Sequence, residues 1–411
     1  MTDTTLVELS RNPRSRSSLG ALARSAVLQR LATLRDGRVR LREGGEVFDL
    51  GPAGRAPDAT ITVLDPAFYA DIAFGGSVGA GESYMLGHFQ VDDLTALMRL
   101  MLRNREALDA LEGGAARFAA PLRRMAHWMH RNTRGGSRRN IAAHYDVGND
   151  FFELFLDETM MYSCALFSRP DMTLAEASAA KLEAICSRLE LGPGDHVLEI
   201  GTGWGGFAMH AAARHGCRVT TTTISPSQFE LARERIRAAG LEDRVTVLLE
   251  DYRDLRGTYD KLVSIEMIEA IGHQYYEEFF RRCAQRLAPG GRMLLQSITI
   301  ADRRYAAARD DVDFIKRYIF PGCCIPSVTA LAQAMTASSG LRIVHLDDIG
   351  LHYATTLALW RENMFANIER VRALGYPETF IRMWEFYLCY CEAGFAERAL
   401  GDVQMLLALE G

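Results

Sequence analysis

The stretch Val197-Leu-Glu-Ile-Gly-Thr-Gly-Trp-Gly-Gly206 packs an apolar run, an acid and alternating glycines into a single short segment. Entered through the turn Gly192-Pro-Gly194, the residues His196–Gly201 read as a short strand. Glu199 stands near its end, and Gly201, Gly203 and Gly205 then let the backbone pass close beneath a ligand. A helical pattern over Phe207–His215 follows at once, and a helix start offers free backbone amides. Strand, glycine turn and helix in this order make a cradle for a small molecule at one edge of a sheet.

Working outward, the same alternation continues. Arg218–Thr223, Arg244–Glu250, Asp260–Glu266 and Gly291–Thr299 read as strands, with helical patterns at Pro226–Ala239 and His273–Leu287 between them. Leu341–Asp347 and the closing apolar run Val403–Leu409 add to the series. This spacing predicts an α/β fold, a mainly parallel sheet covered by helices on both faces. The first part of the chain differs. It has strand-like pieces at Gly37–Phe48 and Ala59–Val63, a glycine-rich stretch from Gly75 to Gly87, and a helical pattern over Asp92–Leu111. The expected organisation is therefore a smaller α+β unit at 1–115, an arginine-rich linker at 116–140 and a catalytic domain at 141–411. At ~100–200 residues per domain, a chain of 411 residues suits this division.

Composition narrows the function classes. Hydrophobic residues are 48% of the chain and charged ones 24%, as in ordinary globular proteins. There is no run long and apolar enough to span a bilayer, and the first residues lack a basic-then-apolar leader, so a cytoplasmic location is expected. The cysteine pairs Cys323-Cys324 and Cys389-x-Cys391 have no zinc-site spacing, and reduced thiols are expected. The net charge of −5 hides an asymmetry, since residues 1–140 carry +5 and the rest −10. Arg117, Arg123, Arg124, Arg131, Arg134, Arg138 and Arg139 are interleaved with Met125, Trp128 and Met129 and no acid. That pattern suits an anionic surface, membrane or nucleic acid, or else a solvated linker.

Further candidates come from position. The second strand ends in Thr220 to Thr223 without the acid that holds an NAD ribose, which weighs against a dehydrogenase. Ser225-Pro-Ser-Gln228 reads as a helix start, with Ser225 as cap and Gln228 closing a capping box. Glu250-Asp251-Tyr252 ends the third strand, and Glu266-Met-Ile-Glu269 puts two carboxylates at the C-terminal end of the fourth, where ligands gather in open α/β sheets. His144–Asp150, Met161–Ala165 and the aromatic segment Asp313–Gly322 are further unusual stretches.

Taken together and in order, HYDVGNDFF, MYSCALF, EIGTGWGGFA, TISPSQ, LLEDYRDL, DFIKRYIFPG and YLCYCEAGF resemble the cyclopropane fatty acid synthases, a family of S-adenosylmethionine-dependent methyltransferases. The resemblance covers about residues 138–411. It implies a Rossmann-like class I methyltransferase domain with a seven-stranded sheet, preceded by a lipid-associated domain, often in a dimer. It further implies cofactor contacts from Tyr162, Ser163, Glu199, Gly201, Gly203, Thr223, Gln228 and Asp251 or Tyr252. A bicarbonate ion is implied beside the reacting alkene, held by Cys164, Glu269, Gln296, the backbone of Ile298 and Tyr353, and Cys391 matches a position nominated as catalytic. Two positions depart from typical bacterial members, which have His where Gln296 and Ala270 stand. The Gln also occurs in plant cyclopropane synthases and in relatives that leave a methylene or methyl branch.

The implied reaction moves a methyl group to the double bond of an unsaturated acyl chain in a phospholipid bilayer and then removes a proton, most directly closing a cyclopropane ring. Faces of Tyr318, Phe320 and Tyr353 would stabilise the carbocation. The Arg117–Arg139 stretch is the expected contact with the inner face of the membrane. Rival readings are a small-molecule N- or C-methyltransferase and a silent lipid-binding protein. The acidic catalytic part argues against nucleic acid.

Overall fold

The computed structural model describes residues 18–54, 57–105 and 147–410. The Arg117–Arg139 stretch and His144 to Asp146 therefore lie outside the described residues. Near the N-terminus, helix α1 (Ser18–Leu31) leads into strands β1 (Arg38–Glu43) and β2 (Glu46–Leu50), a hairpin where one strand was expected. Strand β3 (Asp58–Val63), helix α2 (Ala67–Met85), strand β4 (Phe89–Val91) and helix α3 (Leu94–Arg103) complete a four-stranded sheet of order β2-β1-β3-β4. Val39, Leu41, Ala59, Ile61 and Val63 alternate inward to meet Ala23, Val27 and Leu31 of α1.

Most of the glycine-rich stretch from Gly75 to Gly87 runs within α2, which kinks at Gly76 (φ +60°). Gly81 is there for closeness: a Cβ would lie 2.3 Å from the Phe314 ring and 3.2 Å from that of Phe386. Of the helix expected over 92–111, the described part ends at Arg103. Asp93 caps its start by accepting from the Ala96 amide at 2.8 Å.

The larger sheet has the order β10-β11-β9-β8-β5-β6-β7. Its elements in chain order are α4 (Leu174–Leu189), β5 (His196–Ile200), α5 (Gly206–His215), β6 (Arg218–Thr222), α6 (Pro226–Ala238), β7 (Val245–Leu248) and β8 (Tyr259–Ile265). There follow α7 (Tyr276–Arg286), β9 (Leu287–Ile300), α8 (Asp302–Asp310), α9 (Val328–Ser338), β10 (Leu341–Asp348), α10 (Gly350–Ala366), α11 (Glu378–Ala396) and β11 (Leu400–Leu409). Strands β5 to β9 pair in parallel, and β11 runs against both its neighbours. This is the mainly parallel sheet that the spacing predicts, with the seven strands that the resemblance implies.

Alternation along the buried strands feeds two separate cores. Val197, Val219, Val263 and Leu294 meet Ile185, Phe207 and Ala211 of α4 and α5 on one face. Leu198, Leu262, Met293 and Leu295 meet Phe279, Phe280, Leu331 and Met335 of α7 and α9 on the other. Each of the two phenylalanines is fully buried, worth ~1.5–3 kcal/mol of apolar transfer. The N-terminal helices share a third core with α10 and α11. Hydrogen bonds fix the same contact: Tyr84 to Glu385 at 2.6 Å, Thr95 to Glu392 at 3.1 Å, and Arg99 and Arg103 to Glu397 at 2.7 and 2.8 Å.

Candidate active site

Strand β5 ends inside the sheet, and the chain turns through Gly201, Gly203 and Gly205, all with positive φ. An added Cβ at Gly203 would meet no protein atom within 4 Å. It would enter a cavity of about 1550 Å³ that the glycine loop lines together with Tyr162, Ser163, Gln228 and Tyr252. The loop is braced from outside, since Trp204 Nε1 and Ser227 Oγ both donate to Asn149 Oδ1, at 2.8 and 3.0 Å. Behind it, Glu199 is 2% exposed and accepts from Thr221 Oγ1 at 2.6 Å. Burial pushes its carboxyl up to about 8.

Ser225 caps α6, accepting from the Gln228 amide at 3.3 Å. The expected capping box does not close, because the Gln228 side chain turns to Thr223, whose hydroxyl donates to Oε1 at 2.8 Å. Asp251, an implied cofactor contact, is held by Arg253 through two bonds of 2.8 and 2.6 Å, both residues buried. Tyr252 keeps a buried hydroxyl with no hydrogen-bond partner among the described residues. Ser163 accepts from the fully buried ammonium of Lys181 at 2.8 Å, and Tyr162 stacks on Trp360 while its hydroxyl meets that of Tyr387.

Across the cavity from the loop, Glu266 is the hub. Its backbone has φ +48°, a region costly for a residue with a side chain. Its Oε1 accepts from the Cys164 amide at 2.8 Å and from Gln296 Nε2 at 2.7 Å, and its Oε2 from Tyr353 Oη at 2.6 Å. Gln296 Nε2 also reaches Asp402 Oδ2 at 3.0 Å, and Gln404 Nε2 donates to Gln296 Oε1 at 3.0 Å. Beside this group, Glu269 Oε1 accepts from Ser297 Oγ at 2.8 Å and from the Ile298 amide at 2.5 Å. Its Oε2 has no partner among the described residues, nor has Asp402 Oδ1.

Desolvation dominates the electrostatics of these carboxylates. It raises Glu266 and, together with the charge of Glu266, carries Asp402 well above the carboxylate range. Burial beside Glu266 thus favours the protonated form of Asp402. Glu269 is pushed to about 8, first by burial and then by Glu266. Lys181, the buried cation nearby, is lowered by desolvation, against which Glu266 works.

Several expected roles fall differently. Cys164 offers its amide, not its thiol: Sγ points to the carbonyls of Ala165 and Ile349, and burial raises the thiol far from ionisation. Neither Cys164 nor Gln296 lines the cavity; both are fully buried behind Glu266. The amide of Ile298 is taken by Glu269, so an added bicarbonate would find its expected donors already bonded to two protein carboxylates. The desolvation that raises these carboxylates would also oppose burying a further anion beside them. Bicarbonate does not fit here. Cys391 lines the cavity, but burial holds its thiol high and Asp313 and Cys323 are the neighbours that raise it further. Phe320 and Tyr353 line the cavity, whereas Tyr318 turns to helix α2 and donates to Glu82 at 2.5 Å.

The sequence reading saw Glu266 as one of a pair without giving it the central position, and it missed Asp402 and Lys181. Asp402 stands one residue before the apolar run Val403–Leu409, and a charge at the mouth of a buried strand was the available signal. Lys181 lies in an ordinary amphipathic helix and gave none.

Residues 132–405 match the family described as mycolic acid cyclopropane synthetase. Over 99% of its length the chain is 39% identical to the tuberculostearic acid methyltransferase UfaA1 of Mycobacterium tuberculosis, covering 95% of that protein. It is 37% identical over 86% of its length to the cyclopropane-fatty-acyl-phospholipid synthase of Escherichia coli K12, covering 87% of it. Among solved structures, the mycolic acid cyclopropane synthase CmaA1 of a complex with SAH and CTAB aligns with a TM-score of 0.61 and 32% identity, over 66% of this chain and 98% of that one.

Proposed function

Because the chain belongs to the mycolic acid cyclopropane synthetase family, a family of S-adenosylmethionine-dependent methyltransferases, we propose that it adds one carbon to the double bond of an unsaturated acyl chain carried by a membrane phospholipid. The observation that carries this reading is a single cavity joining the glycine loop to Glu266, Glu269 and Tyr353 and to the apolar side chains of Leu357, Phe386 and Phe320. S-adenosylmethionine, when bound, supplies an electrophilic methyl group. The open space at Gly203 and the partnerless hydroxyl of Tyr252 fit such a group.

The residues of this chain supply orientation, dryness and a proton acceptor. A simple alkene is a poor nucleophile and must be held at ~3–3.5 Å from its electrophile, away from water. The faces of Tyr353 and Phe320 stabilise the positive charge that develops on the acyl carbon. Glu269 Oε2 then takes a proton from the added methyl group. As that C–H bond breaks, its electron pair closes a cyclopropane ring. If a hydride has first moved to the neighbouring cation, the same pair forms a methylene instead. One base serves both outcomes. Methyl addition without ring closure is favoured as a second reading by the 39% identity to the tuberculostearic acid methyltransferase.

No helix among the described residues is long and apolar enough to cross a membrane. The Arg117–Arg139 stretch is the proposed lipid contact, and vesicle binding is expected to weaken with salt and to need anionic lipid; salt-insensitive binding would reject it. Mass analysis of phospholipids from cells expressing the protein tests the reaction. Acyl chains heavier by one CH2 group are expected, with resistance to hydrogenation separating ring from methylene. Unaltered lipids would reject the reading.

A further inference from the structure

Away from the cavity, helices α4 and α5 bring together four side chains with the chemistry of a metal-ligand set. Glu183 and Cys186 are one turn apart on α4 and share a face, and His210 and His215 come from α5. The Nε2 atoms of His210 and His215 lie 3.1 and 3.3 Å from the same oxygen, Glu183 Oε2. The ligand atoms of Cys186, His210 and His215 all lie within 4.8 Å of one another. A tetrahedral zinc ion with bonds of about 2.0–2.3 Å sets its ligand atoms about 3.3–3.8 Å apart. The two carboxylate–imidazole separations are thus nearly right, while the thiol and the two rings must draw together by up to about 1 Å and Glu183 must turn toward them to complete the set. Cys186 is fully buried, the rings are mostly covered, and the half-exposed Glu183 leaves a path from solvent.

We propose that Cys186, His210, His215 and Glu183 form a binding site for a divalent transition ion, with zinc the best match to one thiolate, two imidazoles and one carboxylate. Binding breaks the S–H bond of Cys186 and releases that proton to solvent. Each ring moves its remaining proton to Nδ1 so that Nε2 offers a lone pair, and Glu183 turns from accepting ring N–H bonds to holding the ion. The charge balances, because a thiolate and a carboxylate together offset the ion. The site would tie α5, whose first turn follows the glycine loop, to α4, which carries Lys181 beneath Ser163. The sequence spacing did not disclose it, because the ligands spread from 183 to 215 over two helices and an intervening strand.

Cobalt(II) titration of the full-length protein after treatment with a chelator tests the proposal. One equivalent is expected to bind with a thiolate-to-cobalt charge-transfer absorption, to raise the thermal midpoint and to be displaced by zinc. Cys186→Ser should abolish the absorption, and His215→Ala should weaken binding by roughly tenfold or more. Because a buried substitution can disturb folding, His210→Ala provides a second variant at a partly exposed ring. No cobalt binding, or binding equal in parent, Cys186→Ser and His215→Ala, overturns the site and leaves Glu183 as a simple acceptor for two histidines.

Discussion

The phenol of Tyr353 donates to Glu266 at 2.6 Å, and that carboxylate also receives the Cys164 amide and the Gln296 side chain. Three groups from separate parts of the chain thus converge on one buried carboxylate, whose desolvation costs far more than any single bond returns. The positive φ at Glu266 adds local strain of ~1–3 kcal/mol. Backbone strain of this kind clusters at functional sites, and the three donors are the ones expected to hold an external anion.

Glu266→Gln is expected to lower turnover strongly while cofactor affinity stays near that of the parent. The same reasoning predicts that the parent needs no dissolved carbonate. Initial rates in buffer purged of carbon dioxide should equal those with bicarbonate added. A rate that tracks bicarbonate would show that the ion displaces Glu266 from its donors.

Glu269 is pushed to about 8 by burial and by the charge of Glu266. A base works only when ionised, so kcat should climb with pH and level off above about 8. Replacing Glu269 by Gln should cost ~10²-fold or more in kcat and remove this limb. In Glu266→Gln the neighbouring charge is gone, and the midpoint of whatever rate remains should move to lower pH. A profile flat from pH 6 to pH 9 would exclude Glu269 as the proton acceptor.

Much of this fold could be read from period and punctuation. The strands at 196–200, 218–222 and 341–348 fall within a residue or two of expectation, because each is a short segment rich in β-branched or aliphatic residues set off by turns or helix ends. Helix α2 was not legible: its glycines hide a helical pattern, and Gly81 serves close packing against Phe314 and Phe386, contacts more than two hundred residues away. The glycine turn after β5 was legible because Gly201 to Gly205 encode it locally. The carboxylate hub was not, since Glu266, Asp402, Gln296 and Tyr353 meet only through sheet order. Asp402 reaches Gln296 because β11 runs against β9, a pairing that no local pattern reveals.

Glu199 carries a pH-dependent stability that activity does not report. Its folded value of about 8 lies above the ordinary carboxyl value, so between pH 4.5 and 8 the unfolded chain has lost a proton that the native state keeps. Stability therefore falls as pH rises through that window and levels off above it. Glu199→Gln keeps an acceptor for Thr221 and removes the titration. Denaturant midpoints at pH 5 and pH 8 should lie closer together in the variant than in the parent. An unchanged gap would mean that Glu199 is ionised in the native protein.

Gly203→Ala separates cofactor binding from folding. At φ +52° an alanine is strained by ~1–2 kcal/mol, a modest loss for a domain of this size. Its methyl group meets no protein atom and projects into the cavity instead. The expected outcome is a folded protein with slightly lower thermal midpoint and sharply weaker binding of S-adenosylmethionine by calorimetry. Equal affinity would move the cofactor off this loop.

Gly81 tests whether the N-terminal helices must seat on α11 for catalysis. A methyl group there would press into the Phe314 ring at 2.3 Å, and an aromatic ring between two others has no room to rotate away. Overpacking of this kind costs ~1–3 kcal/mol. In Gly81→Val the strain falls on the contact between α2 and the Phe314–Phe386 pair, while the glycine loop and Glu269 keep their own supports on the large sheet. Phe386 lines the cavity, so the displacement reaches the wall that the acyl chain would touch. Affinity for S-adenosylmethionine should therefore persist while turnover on phospholipid vesicles falls, chiefly through KM. Loss of cofactor binding to the same degree would mean that the two sheets fold as one unit, and that α2 supports the glycine loop as much as it supports the lipid-facing wall.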